Sequence, residues 1–317
     1  MFWRLNTIRL PRKRAGAPDF HVLIPQASGP DRHNFRMPRL AFILFFIGLS
    51  VGASKPEPPP VEAELVCDVR SFALGDQFTV GIAIKHKPGF HTYWHSPGTV
   101  GLATMVQWEL PEGFKASELS WPVPERSTME GYNTHGYNRD VVLLATITAP
   151  KDIQSKTVGI KAKLTWMACS KKKCCNLQHA TKALNLSLAD KPAEDPAGAA
   201  AIAAARKELP QPYPGVTATF SQSRDVYTVD LTFRSRVLPP LKDLYFYGEG
   251  QLVDSIKEQK IEHIAPNQLR LILPRTDYGP ENPEKLTGLL YTPYKWPGTS
   301  AKHIPVEAKR VTASEPK

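Results

Sequence analysis

Apolar and polar residues alternate along several short stretches of the chain. In 158–166 and 184–188 every second residue is apolar, and 78–84 alternates large apolar residues with smaller or polar ones. A period of two is typical of half-buried antiparallel strands. Several such strands within about 135 residues predict a β-sandwich.

The same alternation resumes near the carboxyl terminus, in 227–233 and 269–273. Between the two regions lies the segment 191–210, which is rich in alanine and ends in proline, as expected of a short helix. We therefore predict an all-β protein with two immunoglobulin-like β-sandwich domains, 56–190 and 211–312, joined by a short Ala-rich linker helix.

An export signal is predicted near the amino terminus. Arg36 and Arg39 precede the twelve-residue apolar segment 40–51, and small residues follow at 51–53. A basic flank, a short apolar core and a small-x-small site are typical of a secretory signal. We expect a signal peptide over 37–53, an upstream extension without a fold of its own over 1–36, and a mature protein that is exported to an oxidising space.

Composition and charge exclude several classes of protein. The chain is 42% hydrophobic and 9% aromatic, which is enough for a packed core. The body has no apolar run of about 18 residues, so a multi-span transporter is excluded. The formal net charge is +10, but residues 1–39 hold eight basic and two acidic side chains and contribute +6, which leaves +4. This remainder gives no reason to expect a nucleic-acid partner.

The four cysteines carry the candidate chemistry. The alternating stretch 158–166 runs directly into Cys169, and Cys174 and Cys175 follow within six residues. A bridge between Cys174 and Cys175 is disfavoured because adjacent Cα atoms are about 3.8 Å apart, below the usual span of about 4.4 Å or more. Cys169 can therefore pair with either Cys174 or Cys175, and the remaining thiol can form a structural disulfide with Cys67.

Three lysines, 171–173, lie between these cysteines. Their positive field favours a thiolate, which is the reactive species in disulfide exchange. Two alternatives remain open. The pair can be a static bridge in a secreted, non-catalytic binding module, or the three clustered cysteines and His179 can bind copper or zinc. The spacing fits no zinc signature and the lysines repel a cation, so we expect no metal, and the absence of nucleotide motifs predicts no organic cofactor.

Aromatic and proline-rich segments, taken in order, resemble one family. They are 88–98 (PGFHTYWHSPG), 108–114 (WELPEGF) and 121–126 (WPVPER), followed by 136–137 (GY) and 166–169 (WMAC). This ordered set is similar to the amino-terminal periplasmic domain of DsbD-type thiol:disulfide interchange proteins, including the ScsB-like branch. The resemblance covers roughly 60–312.

The resemblance implies a protein-disulfide exchange component in which two cysteines cycle between dithiol and disulfide. Its expected partners are a membrane thiol:disulfide reductase and periplasmic disulfide-bearing proteins, such as disulfide isomerases and cytochrome c maturation factors, and no small-molecule substrate is implied. The first family cysteine corresponds to Cys169, and Cys174 is preferred over Cys175 as the second. The family also covers its cysteines with a cap loop, which by position is 127–135, with Tyr132 and His135 as the candidate covering residues.

Overall fold

The computed structural model describes residues 58–311. The predicted extension 1–36 and signal peptide 37–53 lie outside this range. Within the range, no helix combines the length and the apolar character needed to cross a membrane.

Residues 61–194 form short strands. Their bounds are β1 Val61–Cys67, β2 Val69–Phe72, β3 Gln77–His86, β4 Phe90–Tyr93, β5 Met105–Glu109, β6 Lys115–Ala116, β7 Glu125–Met129, β8 Tyr132–Tyr137, β9 Val141–Thr148, β10 Thr157–Trp166, β11 Cys169–Ser170, β12 Gln178–Leu188 and β13 Ala193–Glu194. The alternating stretches 78–84, 158–166 and 184–188 fall inside β3, β10 and β12. In β10 every second side chain is buried, as expected of a strand with one exposed face, whereas residues 78–82 of β3 are all buried.

These strands form two larger sheets and one small sheet. The larger sheets have the orders β1-β3-β9-β6 and β13-β2-β12-β10-β5. Apolar side chains of both, such as Ile82 and Leu143 from the first and Ile160 and Leu164 from the second, are fully or almost fully buried. The small sheet, of order β11-β4-β8-β7, carries the clustered cysteines.

A close approach of β4 and β8 builds this small sheet. A Cβ at Gly136 would lie 2.0 Å from the carbonyl oxygen of Thr92, so only glycine fits at this position. The Gly136-Tyr137 pair of the sequence pattern therefore has a packing reason.

One helix, α1 Pro196–Lys207, follows the strands of the first half. Asp195 caps it by accepting hydrogen bonds from the backbone N–H groups of Ala197 and Gly198. Gly198 packs directly on the backbone of Cys67, where a Cβ would meet the Cys67 carbonyl oxygen. Ile202 is fully buried against the outer face of the first sheet, so α1 is packed on this half of the protein and is not a free spacer.

Residues 216–310 form the second half. Its strands are β14 Val216–Gln222, β15 Val226–Phe233, β16 Tyr245–Gly248, β17 Lys260–Ala265, β18 Gln268–Pro274, β19 Lys285–Tyr291 and β20 His303–Arg310. They are hydrogen-bonded in the order β16-β19-β20-β14-β15-β18-β17. The Asp254 N–H, just after β16, donates to the carbonyl of Pro274 at the end of β18, so the sheet folds back on itself around one core.

The prediction of an all-β, immunoglobulin-like protein with a short Ala-rich helix is confirmed. The two halves also share apolar contacts. Tyr245, Tyr247 and Leu289 of the second half belong to the core cluster of the first half, where they pack with Trp94 and Tyr137. The elements that hold the cysteines are thus supported from the side of the second half.

Candidate functional site

A disulfide joins Cys169 to Cys174, with their Cα atoms 4.0 Å apart. Cys169 and Cys174 also face each other in an antiparallel bridge. On its other side Cys169 pairs with His91 of β4. The disulfide is therefore built into the edge of the small sheet.

A tight turn over 170–175, named the lysine turn, brings Cys174 back to Cys169. The Ser170 N–H donates to the Lys173 carbonyl over 2.8 Å, and the Ser170 hydroxyl oxygen accepts from the N–H groups of Lys172 and Lys173 at 3.3 Å each. The turn closes on the strand because the Cys175 N–H donates to the Ala168 carbonyl over 2.8 Å. The three lysine side chains are exposed and surround the disulfide with positive charge.

The two sulfurs differ in their access to solvent. Cys169 is fully buried at 0% exposure, whereas Cys174 is only partly buried. Of the two residues, Cys174 is therefore the one more open to a nucleophile from outside, and the Cys169 sulfur would then be the one displaced. We therefore call Cys174 Sγ the outer sulfur and Cys169 Sγ the inner sulfur.

Two side chains contact the outer sulfur. The Sδ atom of Met129 lies 3.0 Å from Cys174 Sγ, and the Tyr93 hydroxyl lies 3.9 Å from it. Burial raises the pKa of Tyr93 to about 12, so the phenol keeps its proton and is available as a donor. The sequence reasoning missed both residues, although Tyr93 belongs to the aromatic segment 88–98.

The predicted cap region is a β-hairpin formed by β7 and β8. The tip of this hairpin lies against the lysine turn, because the Glu130 N–H donates to the Lys171 carbonyl over 3.4 Å. Tyr132 is 45% exposed and lies across the hairpin from Met129. Within this hairpin it is Met129 that touches the disulfide, and no contact with the disulfide is found for Tyr132 in the described residues.

His135 has a different environment from that expected for a covering residue. Its ring is 2% exposed, Nε2 lies 2.9 Å from the Tyr245 hydroxyl, and Nδ1 lies 3.1 Å from the Ser96 carbonyl. Burial lowers the pKa of His135 to about 4, so the ring is neutral at neutral pH. His135 connects the two halves of the protein, and its ring points away from the disulfide.

Further polar contacts join the halves beside the site. Thr99 donates through its hydroxyl to Asp254 over 2.8 Å and through its backbone N–H to the Ser255 hydroxyl over 2.9 Å. The Ser255 hydroxyl also donates to the Asn133 carbonyl in β8. These bonds tie the loop after β4 and the cap hairpin to the second half.

The expectation of a structural disulfide at Cys67 needs correction. Cys67 is a free, buried thiol in the core between the two larger sheets, beside Phe72 and Phe78, and burial raises its pKa to about 11. Cys175 is also a free thiol and is partly exposed in the turn after the disulfide. A bridge between them is not formed because Cys67 ends β1 in the packed core, whereas Cys175 lies in the lysine turn at the edge of the small sheet.

The possible soft-metal ligands are not gathered. The Nδ1 atom of His179 lies 2.9 Å from the Thr165 hydroxyl on the neighbouring strand. Across residues 58–311, no group of three or more His, Cys, Asp or Glu side chains is placed to hold a metal ion.

The fold and the bridge together define a class: an immunoglobulin-like β domain with a disulfide in a turn at the edge of a sheet. Residues 58–187 match the family "Thiol:disulfide interchange protein DsbD, N-terminal". The resemblance noted in the sequence is thus confirmed over these residues. The match and the disulfide together support a thiol:disulfide interchange domain.

A solved structure shares the fold. The N-terminal periplasmic domain of ScsB from Proteus mirabilis is similar with a TM-score of 0.60 and 18% identity, over 81% of this chain and 96% of that one. The titin Ig tandem domains overlap over 79% of this chain and 95% of theirs with 9% identity, but with a TM-score of only 0.18. No curated protein sequence matches the chain.

Proposed function

We propose that this protein exchanges disulfides with other proteins through Cys169 and Cys174. One observation carries the proposal: the bridge lies at the edge of a sheet with one sulfur accessible and the other fully buried. The family match over residues 58–187 supports the same reaction. A purely structural bridge would gain nothing from an accessible sulfur surrounded by lysines.

The unequal access orders the steps of the exchange. A partner thiolate attacks Cys174 Sγ, the Cys169–Cys174 bond breaks, and its electron pair stays on Cys169. A mixed disulfide then joins the partner to Cys174. A second partner thiol resolves this intermediate, which leaves the protein as a dithiol and the partner oxidised.

The reverse direction uses the same two sulfurs in the same roles. The Cys174 thiolate attacks a disulfide on a client protein, and the Cys169 thiol then displaces the client thiolate from Cys174. Two electrons pass to the client and the Cys169–Cys174 bond re-forms. Lys171 and its two neighbours favour the Cys174 thiolate that begins this direction.

The family match supports a proposal for the location and the partners. We place the protein in the periplasm after removal of residues 37–53, where it would receive electrons from a membrane thiol:disulfide reductase. Its clients would be periplasmic disulfide-bearing proteins, including disulfide isomerases or cytochrome c maturation factors. In this proposal 56–190 is the redox domain, and 211–312 is a second domain that supports the cap hairpin.

Equilibration in glutathione buffers, followed by thiol trapping and peptide mass spectrometry, tests the exchange reaction. We expect one reversible pair, Cys169 with Cys174, at a potential above the limit of about −300 mV typical of structural bridges. Cys175→Ser is the matched control and should leave the pair intact, whereas Cys174→Ser should abolish it. A folded protein whose bridge resists dithiothreitol would instead be a module with a static disulfide.

The mixed disulfide gives a second, more specific test. In Cys169→Ser the accessible sulfur has no internal partner, so oxidised glutathione should leave a stable adduct on Cys174. In Cys174→Ser the remaining Cys169 is buried and should react far more slowly. Equal labelling of Cys169 and Cys174 in the two variants would contradict the proposed order of attack.

A further inference from the structure

His91 is the strand neighbour of the cysteine that carries the inner sulfur. It lies opposite Cys169 in the pairing of β4 with β11, and Cys169 in turn lies opposite Cys174. Side chains of directly opposed residues project from the same face of a sheet, with Cβ atoms about 4.5–5.5 Å apart. The three residues thus form a row across the small sheet, with Cys169 in the middle.

Tyr93 confirms which face this is. It stands two residues after His91 on β4, so both side chains project from one face. The Tyr93 hydroxyl contacts Cys174 Sγ, and the rings of His91 and Tyr93 meet edge to face at 5.3 Å between centroids. The His91 ring is therefore on the disulfide side of the sheet.

One nitrogen of the His91 ring, Nε2, is of interest. The residue is 3% exposed, and its Nε2 is buried without a hydrogen-bond partner among the described residues. Such a group costs free energy in the state where it is unpaired, so its presence calls for an explanation, such as a role in another state of the protein. Burial lowers the pKa of His91, so the ring is neutral at pH 7 and carries one N–H.

The exchange reaction creates a need for a donor at this place. When the Cys169–Cys174 bond breaks, the electron pair stays on Cys169, whose side chain is fully buried. An anion without solvent or a donor is strongly disfavoured in such a place. A hydrogen-bond donor already in position would stabilise the charge as it develops.

We propose that His91 donates a hydrogen bond from Nε2–H to the thiolate that forms on Cys169. The inference rests on the proposed exchange reaction and adds a residue to it. In the disulfide state a bonded sulfur is a weak acceptor, which explains why Nε2 lacks a partner there. After reduction the same N–H faces a thiolate or thiol, and the unpaired atom gains its partner.

The test compares two substitutions in the full-length protein. His91→Phe keeps an aromatic ring and removes the donor, whereas His91→Gln keeps an N–H donor on a flexible side chain. Since hydrogen bonds to charged groups contribute about 1.5–3 kcal/mol, reduction by dithiothreitol should slow about 10–100-fold in His91→Phe and recover in part in His91→Gln. His179→Phe, at an exposed position, is the matched control and should keep the wild-type rate.

A pH titration adds a readout that a packing role would not move. Thiolate absorbance at 240 nm, followed in the reduced Cys175→Ser background, should show a higher pKa for the Cys169–Cys174 pair in His91→Phe. Nitrogen NMR of the His91 ring in the reduced wild-type protein should show the proton on Nε2, and this measurement does not depend on how well a variant folds.

The outcomes separate the two proposals. A wild-type bridge that does not react with dithiothreitol overturns the exchange function itself. If the wild type exchanges normally but His91→Phe has the same rate and the same thiol pKa, the role of His91 is wrong. Equal slowing in His91→Phe and His91→Gln, or a proton found on Nδ1, also overturns it.

Discussion

The Sδ atom of Met129 lies 3.0 Å from the Sγ atom of Cys174, although 45 residues separate the two along the chain. The contact places the tip of the β7–β8 hairpin over the accessible sulfur. Because Met129 is itself only partly buried, a modest movement of the hairpin would uncover Cys174. In the proposed exchange reaction, the Met129 thioether would therefore shield Cys174 Sγ until the hairpin moves.

Replacing Met129 with alanine should accelerate reduction of the bridge. The shorter side chain leaves Cys174 open to attack, so we expect the rate with dithiothreitol to rise several-fold while the two redox states keep similar relative stability. Stopped-flow fluorescence or timed thiol trapping measures the rate. Thr128→Ala, at an exposed position of the same hairpin, is the control and should keep the wild-type rate.

The lysine turn should select partners by charge. Lys171, Lys172 and Lys173 are exposed beside the disulfide, and the nearby Glu130 offsets only part of their charge. Reduced protein should therefore react faster with anionic oxidised glutathione than with cationic cystamine, each measured relative to neutral hydroxyethyl disulfide. Reversal of all three lysines to glutamate should lower this anion preference by about tenfold, and 0.5 M salt should weaken it in the wild type.

A matched variant separates local charge from net charge. Lys151→Glu, Lys156→Glu and Lys191→Glu together change the total charge equally at exposed positions outside the disulfide turn. This triple variant should keep the wild-type preference. The same anion preference in both triple variants would show that the lysine turn does not select partners.

The two free cysteines should differ strongly in reactivity. Burial raises the pKa of Cys67 to about 11 and removes it from solvent, whereas Cys175 is partly exposed. Iodoacetamide at pH 8 should therefore label Cys175 in the folded protein and leave Cys67 unmodified, as read by peptide mass spectrometry. Labelling in urea is the control, where both should react, and rapid labelling of Cys67 without urea would contradict its buried position.

Acid should destabilise the fold through three buried histidines. Burial lowers the pKa of each of His86, His135 and His303 to about 4, below the value of about 6.5 in an unfolded chain. Between these values the unfolded state binds more protons, so the stabilisation is complete above pH 6.5 and is lost as the pH falls towards 4.

Urea denaturation at a series of pH values measures this loss. We expect the free energy of unfolding to fall between pH 6.5 and 5, by at most about 1.4 kcal/mol per histidine for each pH unit. Carboxylates contribute mainly below this window, because unfolded Asp and Glu titrate near pH 4. His303→Gln should reduce the slope, and a flat profile from pH 7 to 5 would contradict the neutral, buried state of these rings.

Local pattern was sufficient for some features of this protein. The alternation in 158–166 predicted a strand, and the position of Cys169 directly after it predicted a cysteine at the end of a sheet strand. Alanine-rich composition with a closing proline indicated α1, whose bounds are Pro196–Lys207. Each of these features is determined by residues that are close together in the sequence, and a periodic pattern reports only on such residues.

Contacts between distant parts of the chain could not be predicted in the same way. The pairing of His91 with Cys169 depends on strand register, and the hydrogen bond of His135 to Tyr245 spans 110 residues. A cap loop near the cysteines was expected only through the family resemblance, because no local pattern in 127–135 indicates it. Met129 and Tyr132 are paired directly across the hairpin and share one face, so the strand pattern cannot tell which of them reaches the sulfur; that depends on how the hairpin packs against the cysteines.

Tyr245, Tyr247 and Leu289 extend from the second half into the core of the first. To swing the halves apart would expose this aromatic surface to water, together with the polar bonds around Thr99. Over residues 58–311 the two halves are thus held together. A partner of the disulfide would therefore meet a preformed surface whose support comes from both halves, and not from the cysteine-bearing half alone.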